Sequence, residues 1–347
     1  MVTKARLVYV LSPAKTLDMA TPAVRTCSLP LMLGDARVLV TELRKLTPAK
    51  LKSLMGVSDA IAKLNHDRFK AFEFLDEDKE LKITPNDTHK QAVLSFNGPA
   101  YQGLAASELE ESQLQYAQRH LRILCGLYGV LRPLDVIQAY RLEMGQKVEN
   151  PRGKDLYAFW GDRISQELNR SFDALGSTGD KVLVNVASQE YFKSVIADAL
   201  DEDIKVVDCV FKDDGKIKSV YAKRARGLMC RYLITNEVDS VDGIKEFDLE
   251  GYTFSARESS DSTFVFNRSA SKQKEVLKEI QAKAKKMTKK TKTKTKDAVK
   301  VEEVEEKPQQ AQKRSMKKED AVKTEDEEET GGLRRSKRRR GGVKLLE

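Results

Sequence analysis

"ARLVYVLS" (residues 5–12) is a short, mostly apolar run rich in β-branched and aromatic residues that Pro13 ends. Such a run is typical of a strand buried in a sheet. We expect further strands at four similar runs, the last two of which are joined by the turn "KDDG": residues 121–126, 181–188, 204–211 and 216–223.

Stretches with helical periodicity lie between these runs. Because strands and helices interleave, the pattern predicts an α/β (mixed α+β) fold. We expect one compact domain over residues 1–270, with a buried mixed sheet and helices around it. The predicted helices are at residues 35–46, 107–121, 156–170, 188–200 and 224–236.

The sequence after residue 270 has a different composition. From Ser271 onward there are 25 Lys and Arg against 15 Asp and Glu, a net charge of +10, which leaves −1 for the rest of the +9 chain. The segment has so few apolar residues that their burial cannot offset the loss of chain entropy on folding. Residues 271–347 are therefore predicted to be a disordered tail. Its basic clusters, "KRSMKK" and "RRSKRRR", indicate nuclear targeting or polyanion binding; the alternative is a merely solubilising tail.

Several classes of protein are disfavoured by the sequence. No apolar run approaches the roughly 18–20 residues of a membrane helix, and the N-terminus lacks the features of a signal peptide. We therefore expect a cytoplasmic protein, with possible nuclear targeting by the tail and no membrane partner. The cysteines and the three His residues show neither disulfide nor metal-ligand spacing, so no metal and no cofactor are predicted.

Residues 51–65, "LKSLMGVSDAIAKLN", are predicted to form two helices joined by the turn "MGVS". The amides that follow Gly56 would point outward at the start of the second helix, where an anion is favoured. We predict a DNA-phosphate site there; a plain helical hairpin explains the spacing equally well. The residues of this site are Lys52, Gly56, Val57, Ser58 and Lys63, and the expected buried side is Leu51, Leu54, Val57, Ile61 and Leu64.

Polar residues also cluster where predicted strands end. Lys15 follows the first strand, at the position where α/β proteins place ligand-binding loops. The loop "FNGPAYQGL" (96–104) presents Asn97 and Tyr101, which could hydrogen-bond to and stack on a base. In both places an ordinary turn is the alternative.

The segment "CGLYGVLRPLDVIQAYRLEMG" (125–145) combines tight glycine turns with fixed charges. Arg132 and Asp135 flank Pro133, and Arg141 and Glu143 face the same way along an extended chain. These groups suit an anionic ligand, although a structural ion-pair cluster is the alternative. We predict one cleft that also includes Asn185, Glu190, Lys223, Arg226 and Arg231.

Six stretches occur together in one order: 11–18, 96–104, 125–145, 156–164, 185–192 and 225–233. On them the sequence, from about residue 5 to 268, resembles the bacterial peroxide stress protein YaaA and its relatives. The resemblance implies a compact α/β domain, a helix-hairpin-helix element, a positively charged cleft and double-stranded DNA binding. It also implies a role in limiting iron-driven damage during peroxide stress. The departures are Cys125 where Ser is common, and Gln138 and Ala139 where Pro is usual.

Two functions remain open. In the first, the protein binds double-stranded DNA or another nucleic acid without catalysis, and the basic tail adds salt-sensitive affinity. In the second, it is an enzyme that acts on a nucleotide or a damaged nucleobase, with Glu143 or Asp135 as acid or base and Lys15 as nucleophile or phosphate clamp. A nucleotide-like small molecule is a possible ligand in both cases, and we expect a monomer.

Overall fold

The computed structural model describes residues 4–75, 83–176, 178–280 and 282. The chain divides after Lys278, and Met1–Lys278 is one compact unit. Residues 270–280 are helical, and Gln273 and Val276 of this segment are buried. The compact unit therefore continues beyond residue 270, since an amphipathic helix that the tail composition concealed packs there. Most of the predicted disordered tail, including both basic clusters, lies outside the described residues.

The described strands belong to one large sheet and two small ones. They are β1 (Ala5–Leu11), β2 (Thr16–Leu17), β3 (Lys90–Gln91), β4 (Phe96–Asn97), β5 (Leu121–Cys125), β6 (Gly129–Leu131), β7 (Val136–Ile137), β8 (Asp180–Asn185), β9 (Ile204–Asp213), β10 (Thr253–Phe254) and β11 (Thr263–Arg268).

Helices cover the large sheet. They are α1 (Leu33–Arg44), α2 (Pro48–Met55), α3 (Asp59–Ala71), α4 (Ala92–Ser95), α5 (Pro99–Leu104), α6 (Glu111–His120), α7 (Leu156–Trp160), α8 (Arg163–Asp173), α9 (Gln189–Phe192), α10 (Ser219–Thr235) and α11 (Val241–Lys245). Single 3-10 turns occupy Ala106–Glu108, Ala197–Ala199, Leu249–Gly251 and Ala256–Glu258.

The large sheet has seven strands in the order β10-β11-β9-β8-β1-β5-β6. The five inner strands run parallel, and each edge strand is antiparallel to its neighbour. Strand β1 lies inside the sheet, and Leu7–Leu11 are completely buried there, as the unbroken apolar run predicted. The mixed α/β class expected from the sequence is confirmed.

Several local predictions were wrong. Residues 96–104 form β4 and α5 and not a loop, and the helix expected at residues 188–200 is limited to α9 and the 3-10 turn Ala197–Ala199. Residues 216–223 do not form a strand, because β9 pairs in parallel with β11, and Asp214 and Gly215 turn the chain into α10 with positive φ. The helix expected at residues 156–170 is broken at Gly161, which has a φ of +50°. Its missing Cβ allows this conformation, and the chain restarts as α8.

Close packing of α10 on α5 fixes one wall of the later site. Gly227 of α10 faces the backbone of α5, where a Cβ atom would overlap the carbonyl oxygen of Ala100. Gly103 faces α10 in the same way at the carbonyl of Arg224. The two glycines therefore let the helix backbones approach each other closely.

Candidate functional site

The order of the parallel strands reverses between β1 and β8. The chain leaves β1 for β5 on one side, whereas it leaves β8 for β9 on the other. Ligands of open α/β sheets bind outside the carboxyl ends of the strands at such a switch point. Here the two loops meet: the Ser188 amide donates to Ser12 Oγ at 2.8 Å, and the two hydroxyl oxygens are 3.2 Å apart.

A cleft of about 1150 Å³ opens at this place, and we call it the switch-point cleft. Its walls are the loops that follow β1 and β8, the start of α5, residues 140–143, the middle of β9 and one face of α10. The structure therefore brings together most of the residues that the sequence predicted for one site: Lys15, Asn97, Tyr101, Arg141, Glu143, Asn185, Glu190, Lys223 and Arg226.

Glu143 lies between two cations in the switch-point cleft. Its Oε2 is 2.5 Å from Lys15 Nζ, and its Oε1 is 3.1 Å from Arg141 Nη2. The Glu143 side chain is 16% exposed and that of Lys15 is 62% exposed, so the carboxylate is held in the wall while the ammonium reaches solvent. A carboxylate so placed can neutralise the cations or accept a proton from a ligand.

A second polar group lies where β8 and β9 run side by side. The Asn185 amide donates to Asp208 Oδ1 at 2.7 Å, and its own oxygen accepts from the Ala187 amide at 2.9 Å. Sequence reasoning missed Asp208 as a cleft residue. The paired register of Asn185 and Asp208 shows why they meet, but that register is a tertiary property without a local signal.

Positive charge enters the cleft from α10. The cleft-lining residues Ser219, Ala222, Lys223 and Arg226 follow helical spacing and share one face. Burial lowers the pKa of the Arg226 guanidinium, and no carboxylate in the described part of the chain lies within 4.0 Å of it. The first turn of α10 has no acidic residue, so its dipole adds to the positive field.

Buried tyrosines form part of the cleft wall. Tyr101 donates its hydroxyl to the carbonyl of Ser12 at 3.1 Å, and Tyr140 lies 2.8 Å from Cys125 Sγ. Burial raises the pKa values of Tyr101, Tyr140 and Tyr191 above their usual value. These hydroxyls therefore stay protonated, and the three residues line the cleft next to charged groups.

Three predicted site residues lie elsewhere. Asp135 is completely buried and accepts two side-chain hydrogen bonds from Arg132, at 3.1 and 2.8 Å, and one from Ser28 at 2.6 Å. Arg231 donates to the carbonyls of Leu104 and Ala105. None of Arg132, Asp135 and Arg231 lines the cleft. The prediction that they belong to the cleft was wrong, because each side chain holds neighbouring loops in place. A structural role was the alternative for such charged clusters.

Helices α2 and α3 form the predicted helical hairpin. Gly56 ends α2 with a φ of +61°, and the Ser58 hydroxyl caps α3 by accepting from the Ile61 amide. Lys52 pairs with Asp59 at 2.9 Å, and Lys63 pairs with Asp67 at 2.6 Å. Phosphate binding by the hairpin stays a prediction, and so does the part predicted for Val57 in that site.

The buried side of the hairpin differs from the expected one. Ile61 and Leu64 are 37% and 47% exposed, whereas Ala62, Asn65 and Phe69 are buried. Leu51 is buried as predicted. The apolar spacing predicted the wrong face of α3, because this helix packs on α1 and α2 through the face of Ala62, Asn65 and Phe69.

The described residues offer neither a metal-binding cluster nor a membrane-spanning helix. They contain no group of three or more His, Cys, Asp or Glu side chains that could hold a metal ion. No helix among them has the length and apolar character to cross a membrane.

Comparison with known sequences places the chain among peroxide stress proteins. The family described as "Peroxide stress protein YaaA" matches residues 7–258. A UPF0246 protein of Burkholderia mallei (strain SAVP1) is 50% identical over 270 residues, which are 76% of this chain and 99% of the relative. A UPF0246 protein of Azoarcus sp. (strain BH72) is 50% identical over 268 residues, with the same two shares.

Proposed function

This chain belongs to the family of the peroxide stress protein YaaA, and we propose that it acts in the response to peroxide stress by binding nucleic acid. One nucleotide unit occupies the switch-point cleft in this proposal. The observation that carries it is the convergence of Lys15, Lys223 and Arg226 on a single cleft at the strand-order reversal. Binding there would limit iron-driven damage to the bound nucleic acid.

The phosphate is assigned to the cationic wall. Lys15 and Lys223 are exposed, whereas Arg226 is partly buried and its charge is poorly solvated. A phosphate would supply the hydrogen-bond partners that the partly desolvated Arg226 guanidinium does not get from water. It would also compete with Glu143 for Lys15. Charge-assisted hydrogen bonds of this type are the strongest that side chains make to an anion.

The base is assigned to Asn97, Tyr101 and Asp208, which also line the cleft. Tyr101 lines the cleft from α5, and Asn97 lines it from the end of β4. Asp208 offers acceptor oxygens that Asn185 orients. Carboxylates accept from base N–H donors, and aromatic rings stack on any base.

The helical hairpin α2–α3 is included as a second phosphate contact. Its lysines form exposed ion pairs, which are worth little in water, so a phosphate could displace Asp59 or Asp67. The basic clusters after residue 312 would add sequence-independent affinity. The hairpin and the basic clusters would contact phosphates without reading bases. We propose double-stranded DNA as the partner for both.

Catalysis is a second candidate function, and the Lys15–Glu143 contact is the observation that favours it. A partly buried carboxylate beside an exposed ammonium is an arrangement that can support proton transfer at a nucleotide or damaged base. Asp135 drops out as the acid or base because Arg132 and Ser28 hold it away from the cleft.

Duplex titrations with the full chain test the proposal. We expect Lys15→Ala/Arg226→Ala to weaken binding and to reduce the slope of log affinity against log salt by about 0.9 per lost phosphate contact. Lys45→Ala, at a surface ion pair directly after α1, is the control for the loss of one positive charge outside the cleft. If the double variant binds with the affinity and slope of the wild type, the cleft takes no part and the proposal fails.

A further inference from the structure

The two most exposed large apolar side chains in the described residues lie three positions apart in the chain, where it enters α10 beside the switch-point cleft. Ile217 is 63% exposed and Val220 is 65% exposed, against at most 47% for the other exposed large apolar residues. Ile217 lines the cleft just before α10, and Val220 lies in the first turn of this helix. Single exposed aliphatic residues are common on protein surfaces, so it is the position of Ile217 in the cleft that makes it a candidate for contact with the ligand.

A rigid base supports this exposed tip. β9 ends at Asp213, whose side chain is completely buried and accepts from Arg268 at 2.7 Å. The chain then turns through Asp214 and Gly215, and the Asp213 amide donates to the carbonyl of Lys216 at 2.8 Å. Ile217 thus projects from an anchored turn and is not part of a loose loop.

The charges around the tip indicate which partner it fits. Lys216 and Lys218 flank Ile217, and Lys223 follows one turn into α10. No ion pair involves these three lysines in the part of the chain that the structure describes; Lys218 Nζ donates only to the neutral amide of Gln273. Apart from the buried Asp213, Asp214 is the only carboxylate in the turn at residues 213–216.

Two isolated aliphatic side chains are too small a patch for a stable protein interface, which buries about 800 Å² on each partner. Nucleic-acid-binding proteins insert single apolar side chains between base steps while cations hold the flanking phosphates. A tip of Ile217 and Val220 between lysines has this composition, and it lies next to the cleft assigned to one nucleotide.

We infer that Ile217, supported by Val220, is a wedge that inserts between the bases of bound nucleic acid next to the nucleotide in the switch-point cleft. This inference rests on the proposed function and extends it. The wedge fills the space that an unstacked nucleotide leaves, and Lys216 and Lys218 hold the phosphates on either side.

A duplex that contains 2-aminopurine, whose fluorescence rises when it unstacks, tests the wedge with the full chain. Binding of the wild type is expected to raise the fluorescence. Ile217→Ser/Val220→Ser should abolish the rise and weaken binding about tenfold, the effect of losing one base contact. The salt slope should not change, since no charge is lost. Leu31→Ser/Ile196→Ser, each 42% exposed and outside both the cleft and the hairpin, is the matched control, and Ile217→Leu should keep the signal.

The outcomes separate the wedge from the proposed function. If the wild type binds and the Ile217/Val220 variant gives the same affinity and fluorescence, the wedge is overturned while nucleic-acid binding stands. If the wild type does not bind the duplex, the proposed function fails and the wedge fails with it. Unchanged thermal unfolding of the variant establishes that its loss is local.

Discussion

Lys15 Nζ and Glu143 Oε2 lie 2.5 Å apart in the switch-point cleft, although 128 positions separate them in the chain. The loop after β1 and the extended segment after β7 bring them together. Because Glu143 also contacts Arg141, one carboxylate neutralises part of the charge that two cations would offer to an anion. The same contact could serve binding or proton transfer.

Glu143→Gln separates these two roles. Removing the negative charge frees Lys15 and Arg141, so we expect duplex affinity to rise about fivefold, the equivalent of about 1 kcal/mol. Glu42→Gln, which alters an exposed ion pair on α1, should leave affinity unchanged. If Glu143 is an acid or base, the variant will bind tightly but will not protect cells from peroxide; retained protection would exclude that role.

Arg226 and Arg231 lie on the same helix but should behave differently. Arg226→Ala is expected to weaken duplex binding and to lower the salt slope by about 1. Arg231→Ala breaks hydrogen bonds to the Leu104 and Ala105 carbonyls and should lower stability while leaving the slope unchanged. Anisotropy titrations and urea unfolding measure the two effects, and equal slopes for both variants would contradict the account.

Gly227→Ala tests the contact between α5 and α10. Alanine favours a helix over glycine by about 1 kcal/mol. At Gly227, however, the new methyl group would overlap the carbonyl of Ala100, a backbone atom that cannot move alone. We expect a net destabilisation of about 1–3 kcal/mol in urea unfolding. Thr235→Ala, at an exposed site on α10, should stay within about 0.5 kcal/mol of the wild type.

Asp135→Ala should destabilise the fold without changing the cleft. It leaves Arg132 without its buried partner, and breaking a buried ion pair costs about 3–5 kcal/mol. Asp135→Asn keeps hydrogen-bond acceptance and should cost less. Urea unfolding gives the stability, and duplex affinity of the folded protein should remain that of the wild type; a loss of affinity in Asp135→Asn at unchanged stability would place Asp135 in the site after all.

Acid should weaken the fold through His120. Burial lowers the pKa of His120, whose ring stacks on Tyr116 at 4.1 Å between centroids. A depressed folded pKa means stability that is present above the unfolded pKa of about 6.5 and is lost as pH falls through the folded pKa. The unfolding free energy should therefore decrease below about pH 6.5. In His120→Gln this decrease should be smaller; an identical pH profile would show that other groups cause it.

Much of the fold could be predicted because its decisive signals are local. The run at residues 5–12 is apolar on both faces, and its burial between β5 and β8 followed from that alone. Residues 216–223 also look like a strand, yet their place in the sheet is taken by β11, which lies more than forty positions further on. Local pattern cannot reveal such a competition.

The site could be predicted in part for a related reason. Polar residues directly after buried strands, such as Lys15 and Asn185, must meet at one edge of a parallel sheet. Arg132 and Asp135 show the limit, because their spacing indicates that they pair but not that they face the protein interior. Asp208 could not be predicted because it lies within a strand. Only the register between β8 and β9, which has no local signal, makes it a neighbour of Asn185.

Photo-crosslinking tests the central claim most directly. A duplex that carries 5-iodouracil is bound to the full chain, irradiated and digested, and the crosslinked peptides are identified by mass spectrometry. The account predicts crosslinks to the peptides that contain Tyr101 and Tyr191, and their loss in Lys15→Ala/Arg226→Ala. Crosslinks confined to the sequence after Lys278, unchanged in that variant, would contradict it, because the nucleic acid would then contact the basic tail and not the switch-point cleft.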